Sequence, residues 1–196
     1  MEDLTEDVQR CADLQAIIDE CHRCRWITGG LLGFARIQSD SRESVDLVSL
    51  IAATVESLQP QKLFREVSFK QEKTPPESRV IVTADSDRLR QVLVNLFLNA
   101  AQAMHGVGEI ILSLDVHPES VSLLVADSGP GVKTEFLERI FEPFFSTKAS
   151  GEGTGLGLSL CRKLIEDHNG QLSLEPTSVG GAHFKLTLPM TKEESL

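Results

Sequence analysis

Positive charge is in short supply in this 196-residue chain: 19 lysines and arginines stand against 29 aspartates and glutamates, for a formal net charge of −10. With no basic excess to offset a nucleic-acid backbone, a general nucleic-acid binder is excluded. No apolar run reaches membrane-spanning length and no signal-peptide pattern is visible. The expectation is therefore a cytoplasmic chain making no membrane contact of its own, whose parent can still carry an anchor. Cysteine is scarce as well, at four. Cys21 and Cys24 form a C-x2-C pair, but no second pair or paired histidines follow at structural-zinc spacing, so these thiols and Cys11 and Cys161 read as small buried helix residues. Two phosphate-binding signatures are missing too. No glycine cluster ends in GK[ST], which excludes a P-loop, and none has the dinucleotide-fingerprint spacing.

Glycine is plentiful in one place. From Asp127 to Gly170 the chain reads DSGPG, then FEPFFSTK, then GEGTGLGLSLCRKLIEDHNG. The second cluster, Gly151, Gly153, Gly155 and Gly157, runs into an amphipathic helix built on Leu156, Leu160, Leu164 and Ile165. Dense glycines before a helix let backbone amides turn toward one point, where the helix N-terminus adds partial positive charge, and a phosphate chain suits such a nest. Taken alone, GTGLG fits a flexible surface loop equally well. Upstream, however, Asp127 closes the apolar strand VSLLVAD, and Asn95 and Asn99 lie four apart, on one helix face. An acceptor carboxylate, two amides and a glycine nest suggest a site that reads a base at one end and phosphates at the other.

At 41% hydrophobic and 24% charged residues, the chain can bury one substantial core plus an appendage. Leu14, Ile17, Cys21, Cys24, Leu31 and Phe34 recur near a heptad spacing and predict a long helix over residues 4–38, which wants a partner helix. SDSRES marks the domain boundary. A helix over 45–58 on the Val48, Ile51, Val55 and Leu58 face is stopped by Pro60. Short strands at 67–71 and 80–83 flank the turn KTPPES. Asp85 or Ser86 caps a helix to about residue 104, with Leu89, Val92, Leu93, Leu96, Phe97, Ala100 and Ala103 as its buried side. Strands at 109–116 and 121–126 form a hairpin, a short helix covers 134–140, and a helix at 156–168 leaves through Asn169-Gly170. Strands at 171–175 and 182–188 finish the domain. The predicted class is α+β: an α/β sandwich of one mixed, mostly antiparallel sheet with helices on one face, preceded by a long helix.

These residues resemble the ATP-binding domain of sensor histidine kinases, of the nitrogen-regulatory type, within the superfamily that also holds the gyrase, Hsp90 and mismatch-repair ATPases. QVLVNLFLNAAQAM is similar to the N box, ADSGPG to the first glycine box, FEPFFSTK to the F box and GEGTGLGLSL to the second glycine box. The likeness covers residues 45–190, and residues 1–40 resemble the second helix of the dimerisation and phosphoacceptor hairpin; the tail 191–196 is expected to fray. The resemblance implies a Bergerat-type fold that binds ATP, or ADP as product, with Mg²⁺ on the side-chain oxygen of Asn99. It implies that Asn95 and Asn99 form the catalytic pair and that Asp127 accepts from the adenine amine. It assigns Gly129, Gly131 and Val132 to the base, and Gln102, Ala103, Lys148, Gly153, Thr154, Gly155, Leu156, Gly157 and Leu158 to the nucleotide's surroundings. Phe144 and Phe145 would anchor the lid. An aspartate before SGPG can also serve only as a turn cap.

The departures from the family pattern are informative. Hydrolysing relatives carry a water-activating glutamate where Asn95 stands, and an amide has no basic lone pair for that work. Gln102 stands where many kinases carry a basic residue, and Ala182 where a threonine is frequent. No HEL-x-N-P-like acceptor motif occurs: His22, His105, His117, His168 and His183 all lie in other contexts. The resemblance thus implies a kinase piece that follows its own substrate histidine, binds ATP and does not label itself. Its partners would be the acceptor helix of its parent chain, a second copy through the N-terminal helix, and a response regulator. The alternatives are an ATPase or anti-sigma-type serine kinase of the same superfamily, or a nucleotide-gated interaction module.

Overall fold

The structure, a computed structural model, describes residues 42–72, 79–148, 154–177 and 180–190, together with Arg10. The long helix expected over residues 4–38, the KTPPES turn, Gly153 and the tail 191–196 lie outside the described residues. After Arg42 the elements are β1 (Glu43–Asp46), α1 (Leu47–Leu58), β2 (Glu66–Glu72), β3 (Ile81–Ala84), α2 (Ser86–Ala103), β4 (Val107–Val116), β5 (Ser120–Asp127), α3 (Gly157–Asp167), β6 (Gln171–Glu175) and β7 (His183–Pro189).

Five strands form the main sheet in the order β2-β4-β5-β7-β6, with β2 parallel to β4 and the other neighbours antiparallel. The parallel pair follows from chemistry as much as topology: α2 lies between the two strands in sequence and supplies the crossover that parallel neighbours need. Alternation along the strands puts Leu112, Leu114, Val121, Leu123, Val125, Phe184, Leu186, Leu188 and Leu172 in the core. They meet in register, Leu112 opposite Val125, Leu114 opposite Leu123, and Leu123 opposite Leu186. The opposite face carries polar pairs such as Ser122 and Thr187, whose hydroxyls lie 3.0 Å apart. A mixed, mostly antiparallel sheet with helices is the predicted α+β fold.

The strand at 80–83 does not belong to this sheet. β3 pairs antiparallel with β1, with Val45 against Val82, in a separate two-stranded sheet. Sequence reading places Val45 in a helix because a four-residue strand whose inward valine is its sole apolar residue has too little period-2 pattern to register. Helix α1 accordingly starts at Leu47, where Asp46 accepts from Val48 N–H at 3.1 Å. Its buried stripe is Leu47, Leu50, Ile51, Thr54 and Leu58, with Val48 and Val55 at the margin. Thr54 is tolerated inside because its hydroxyl donates to the Leu50 carbonyl at 2.7 Å.

Asp85, not Ser86, caps α2, accepting from Asp87 and Arg88 N–H at 3.1 Å each. The helix buries Leu89, Val92, Leu93, Leu96, Phe97, Ala100 and Ala101, whereas Ala103 is exposed. Phe97 packs edge-on against Phe69, which holds α2 to β2, and Phe69 in turn faces Phe64, just before β2. The C-terminus of α3 meets the N-terminus of α2 through a buried histidine. His168 Nδ1 lies 2.6 Å from the Leu164 carbonyl and its Nε2 accepts from Asp85 N–H at 3.0 Å. Asn169 then takes φ 57°, the left-handed exit that its sequence predicts.

Replacing His168 with leucine keeps apolar bulk but leaves a buried N–H and a buried carbonyl unpaired. The expected loss is about 1–3 kcal/mol, or roughly 3–10 °C in melting temperature at this size. Thermal unfolding followed by circular dichroism measures it; an unchanged midpoint would show that the histidine clasp carries no stability.

Candidate functional site

The face of α2 that ends the helix runs from interior to surface: Asn95 is buried, Asn99 half-buried, and Gln102 and Ala103 exposed. Asn95 Nδ2 donates to Cys161 Sγ on α3 at 3.0 Å, and that thiol points to the Val92 carbonyl at 3.9 Å. Burial pushes the thiol pKa up to about 12, outweighing the lowering by Asn95's hydrogen bond, so Cys161 stays protonated and serves as a packing donor. Asn95 therefore pins α2 to α3. Its carbonyl oxygen has no hydrogen-bond partner among the described residues. One turn on, Asn99 Oδ1 accepts from Lys148 Nζ at 3.4 Å, and the same ammonium donates to Gln102 Oε1.

Asp127 ends β5 almost fully enclosed, at 7% exposure. Its Oδ1 accepts two backbone N–H bonds, from Gly129 at 2.9 Å and from Ala182 at 3.2 Å, while Asp127 N–H donates to the Ala182 carbonyl at 3.1 Å. It is thus a turn cap and an interstrand tie at once, through one oxygen. Oδ2 has no hydrogen-bond partner among the described residues. Burial raises the Asp127 pKa; the two amide bonds and the neighbouring His183 oppose that rise.

Glycines close the walls around this carboxylate. A Cβ on Gly129 would sit 2.8 Å from Asp127 Oδ1 and 3.6 Å from the Ala103 methyl, so the turn after β5 lies close against the end of α2. Gly181, at φ +78°, packs so tightly that a Cβ there would lie 1.7 Å from the Asp127 carbonyl oxygen. The doubled glycine Gly180-Gly181 before β7 is the sequence signal for this close approach. Gly131 lies against Gly181 in turn, and Val132 packs on the core.

Beyond this wall, Phe141 is buried, edge-on to Phe184 and covered by the Arg162 guanidinium at 3.7 Å. Phe145 packs on Phe136 and under Arg139 at 4.4 Å. Phe144 and Phe145, both expected to anchor the lid, are placed differently: the Phe145 ring is packed and the Phe144 ring is not. Phe144 is 74% exposed and its backbone is left-handed, with φ 67°. What anchors there is its backbone: Phe144 N–H donates to the Gly155 carbonyl at 2.9 Å, and a Cβ on Gly155 would lie 2.3 Å from the Phe144 carbonyl carbon. Thr154 Oγ1 accepts from Leu156 N–H at 3.3 Å. Leu156 offers α3 no side-chain cap, so the amides of Gly157 and Leu158 at its N-terminus have no acceptor among the described residues. Donors wanting an anion thus sit at one end, and an acceptor oxygen at Asp127 sits at the other.

A pH titration checks the buried carboxylate. With the folded pKa raised, the native state binds the proton more tightly than the unfolded chain, so Asp127 costs stability once ionised, and that cost grows as pH rises from about 4, the unfolded value. The stability of wild type relative to Asp127→Asn should therefore decline with rising pH, starting at the ordinary aspartate range and levelling above the raised one. Urea denaturation across pH 4–7 measures it, and a difference independent of pH would contradict the burial.

The model of histidine kinase-, DNA gyrase B-, and HSP90-like ATPases matches residues 84–192. The sensor histidine kinase ZraS of Escherichia coli O157:H7 is 36% identical over 178 residues, 90% of this chain and 38% of ZraS, so the chain spans little more than a third of that relative's length. Among solved structures, a nucleotide-free catalytic domain of histidine kinase ThkA superposes with a TM-score of 0.68 at 35% identity, covering 79% of this chain and 99% of that domain. ThkA in complex with the response regulator protein TrrA gives 0.73 at 30% identity, covering 91% and 51%.

Proposed function

The chain belongs to the histidine kinase-, DNA gyrase B-, and HSP90-like ATPase family, and from that premise we propose that it is the ATP-binding catalytic part of a two-component sensor histidine kinase. Its reaction is transfer of the γ-phosphoryl group to a histidine of its parent protein. The observation that carries this reading is Asp127: a buried carboxylate with one oxygen fixed by two amides and the other left to accept from an adenine amine. A guanine would present a carbonyl there, so the same oxygen discriminates between the bases. Gly129 and Gly131 keep backbone out of the base's way. The uncapped amides of α3 face phosphate, and Thr154 steadies Leu156 beside them.

Mg²⁺ fits the donor set in one respect that supports it: the Asn99 amide oxygen is a hard ligand that already holds a cation, the Lys148 ammonium. When bound, the ion neutralises charge on the phosphates. Asn95 supports transfer over hydrolysis, because its Nδ2 is engaged by Cys161 and an amide is too weak a base to activate water. None of the described histidines fits an acceptor: His168 is buried in its clasp and His105 closes the turn after α2 with φ 55°. The acceptor helix, pairing through the N-terminal helix and a response regulator are the partners this reading implies; the ThkA complex with TrrA supports the last. No helix among the described residues is long and apolar enough to cross a membrane.

Asn99→Ala is expected to abolish the Mg²⁺-dependent part of ATP affinity while leaving the EDTA-treated affinity alone. Calorimetric titration with and without EDTA measures it, and a metal-dependent affinity unchanged in the variant would remove Asn99 from the role. Mixed with the acceptor hairpin of its parent and γ-labelled ATP, the chain should transfer label in an acid-labile, base-stable form. Rapid phosphate release by the chain alone would move it to the ATPase branch.

A further inference from the structure

Between α2 and α3 lies a buried acceptor with no hydrogen-bond partner among the described residues. Asn95 is 4% exposed; its Nδ2 donates to Cys161 Sγ at 3.0 Å, and its Oδ1 is left over. A polar atom kept from water without a partner is costly, so a donor or a cation that reaches this oxygen is favoured. Asn95 precedes Asn99 by four residues on α2, and Cys161 follows Gly157 by four on α3. Each member of the pair therefore lies one turn inward, on the same helix face, from a group assigned to the nucleotide.

Which end of the amide is left over depends on the thiol. Cys161 is buried and keeps its one proton, which points to the Val92 carbonyl at 3.9 Å. A carbonyl only accepts, so what the sulfur offers Asn95 is a lone pair, and the amide meets it with N–H. Turning the amide over would set two oxygens around a single thiol proton. We propose that Cys161 is a positioning residue: through the N–H···S bond it holds Asn95 with the amide oxygen, and not the NH₂, turned to the phosphate end of the site. The inference rests on the ATP-binding reading above, to which the asparagine pair already belongs; the thiol's part is what the geometry adds. An oxygen held there suits phosphates that arrive with a metal ion, and does nothing for bare ones, which want donors. The NH₂ in its place would reverse that preference.

The test is calorimetric titration of the full chain with ATP, once in Mg²⁺ and once in EDTA. Cys161→Val removes the sulfur lone pair and proton, and should weaken Mg·ATP about three- to tenfold without weakening ATP in EDTA. Cys161→Ser keeps a lone pair and a proton and should retain the wild-type ratio of the two affinities. In an Asn95→Ala background, Cys161→Val should leave the ratio where Asn95→Ala puts it, because the thiol acts through the amide. An unchanged ratio in Cys161→Val overturns the proposal; so does an equal loss in both conditions, which is what packing alone would give, or a further loss in the Asn95→Ala background. Side-chain amide NMR of the ligand-free chain tests the tie apart from nucleotide. The Asn95 NH₂ signals, identified by their loss in Asn95→Ala, should exchange faster with water in Cys161→Val and not in Cys161→Ser. Equal exchange in all three chains overturns the tie, whereas a wild-type chain that binds ATP in neither condition overturns the ATP-binding reading and the role that depends on it.

Discussion

The inner wall of the site depends on one oxygen atom. Asp127 Oδ1 accepts N–H bonds from Gly129, two residues on, and from Ala182, on the segment entering β7. Removing a carboxylate from water is costly, and here two amides offset part of that cost. Because both donors fall on the same oxygen, the other keeps its capacity to accept. The backbone is then packed around the residue so closely that Gly181 has no room for a Cβ. Strand end, glycine turn and the segment entering β7 are thereby fixed as a unit.

The opposite end of the site is built by a different logic. The lid is closed at its base by backbone, with Phe144 in a left-handed conformation that costs of order 1–3 kcal/mol for a bulky residue. Two contacts hold it there: its N–H on Gly155 and the absence of a side chain at Gly155. Around it in sequence, Phe141 and Phe145 each pack on a neighbouring ring and lie under an arginine. For a chain of net charge −10, an anionic ligand has to be met by local donors rather than by a basic field. Uncapped backbone amides at the N-terminus of α3 are suited to that.

Between these ends, α2 and α3 act as a rigid pair. Asn95 and Cys161 join them in the interior, and His168 and Asp85 join them at the far end. Arg88 reinforces that junction by lying near both Asp85 and Asp167. The same junction adjoins the small β1–β3 sheet, whose strand β3 leads directly into the Asp85 cap.

Much of this was legible in the residues. The periodicities of α2 and α3, the β4–β5 hairpin and the Asn169-Gly170 exit are local patterns, and local sterics and hydrophobic spacing decide them. The ordered boxes around Asn99, Asp127 and GTGLG marked the candidate site through their resemblance to a family pattern. What tertiary structure alone decided are the contacts between residues far apart in sequence. The pairing of β1 with β3 brings two four-residue segments together across the intervening α1 and β2, where loop closure, and not propensity, sets the outcome. The same holds for Gly181 under Asp127, for the Asn95 amide spent on Cys161, and for the exposed ring of Phe144. Each is fixed by how closely two elements approach, a quantity that no one-dimensional spacing carries.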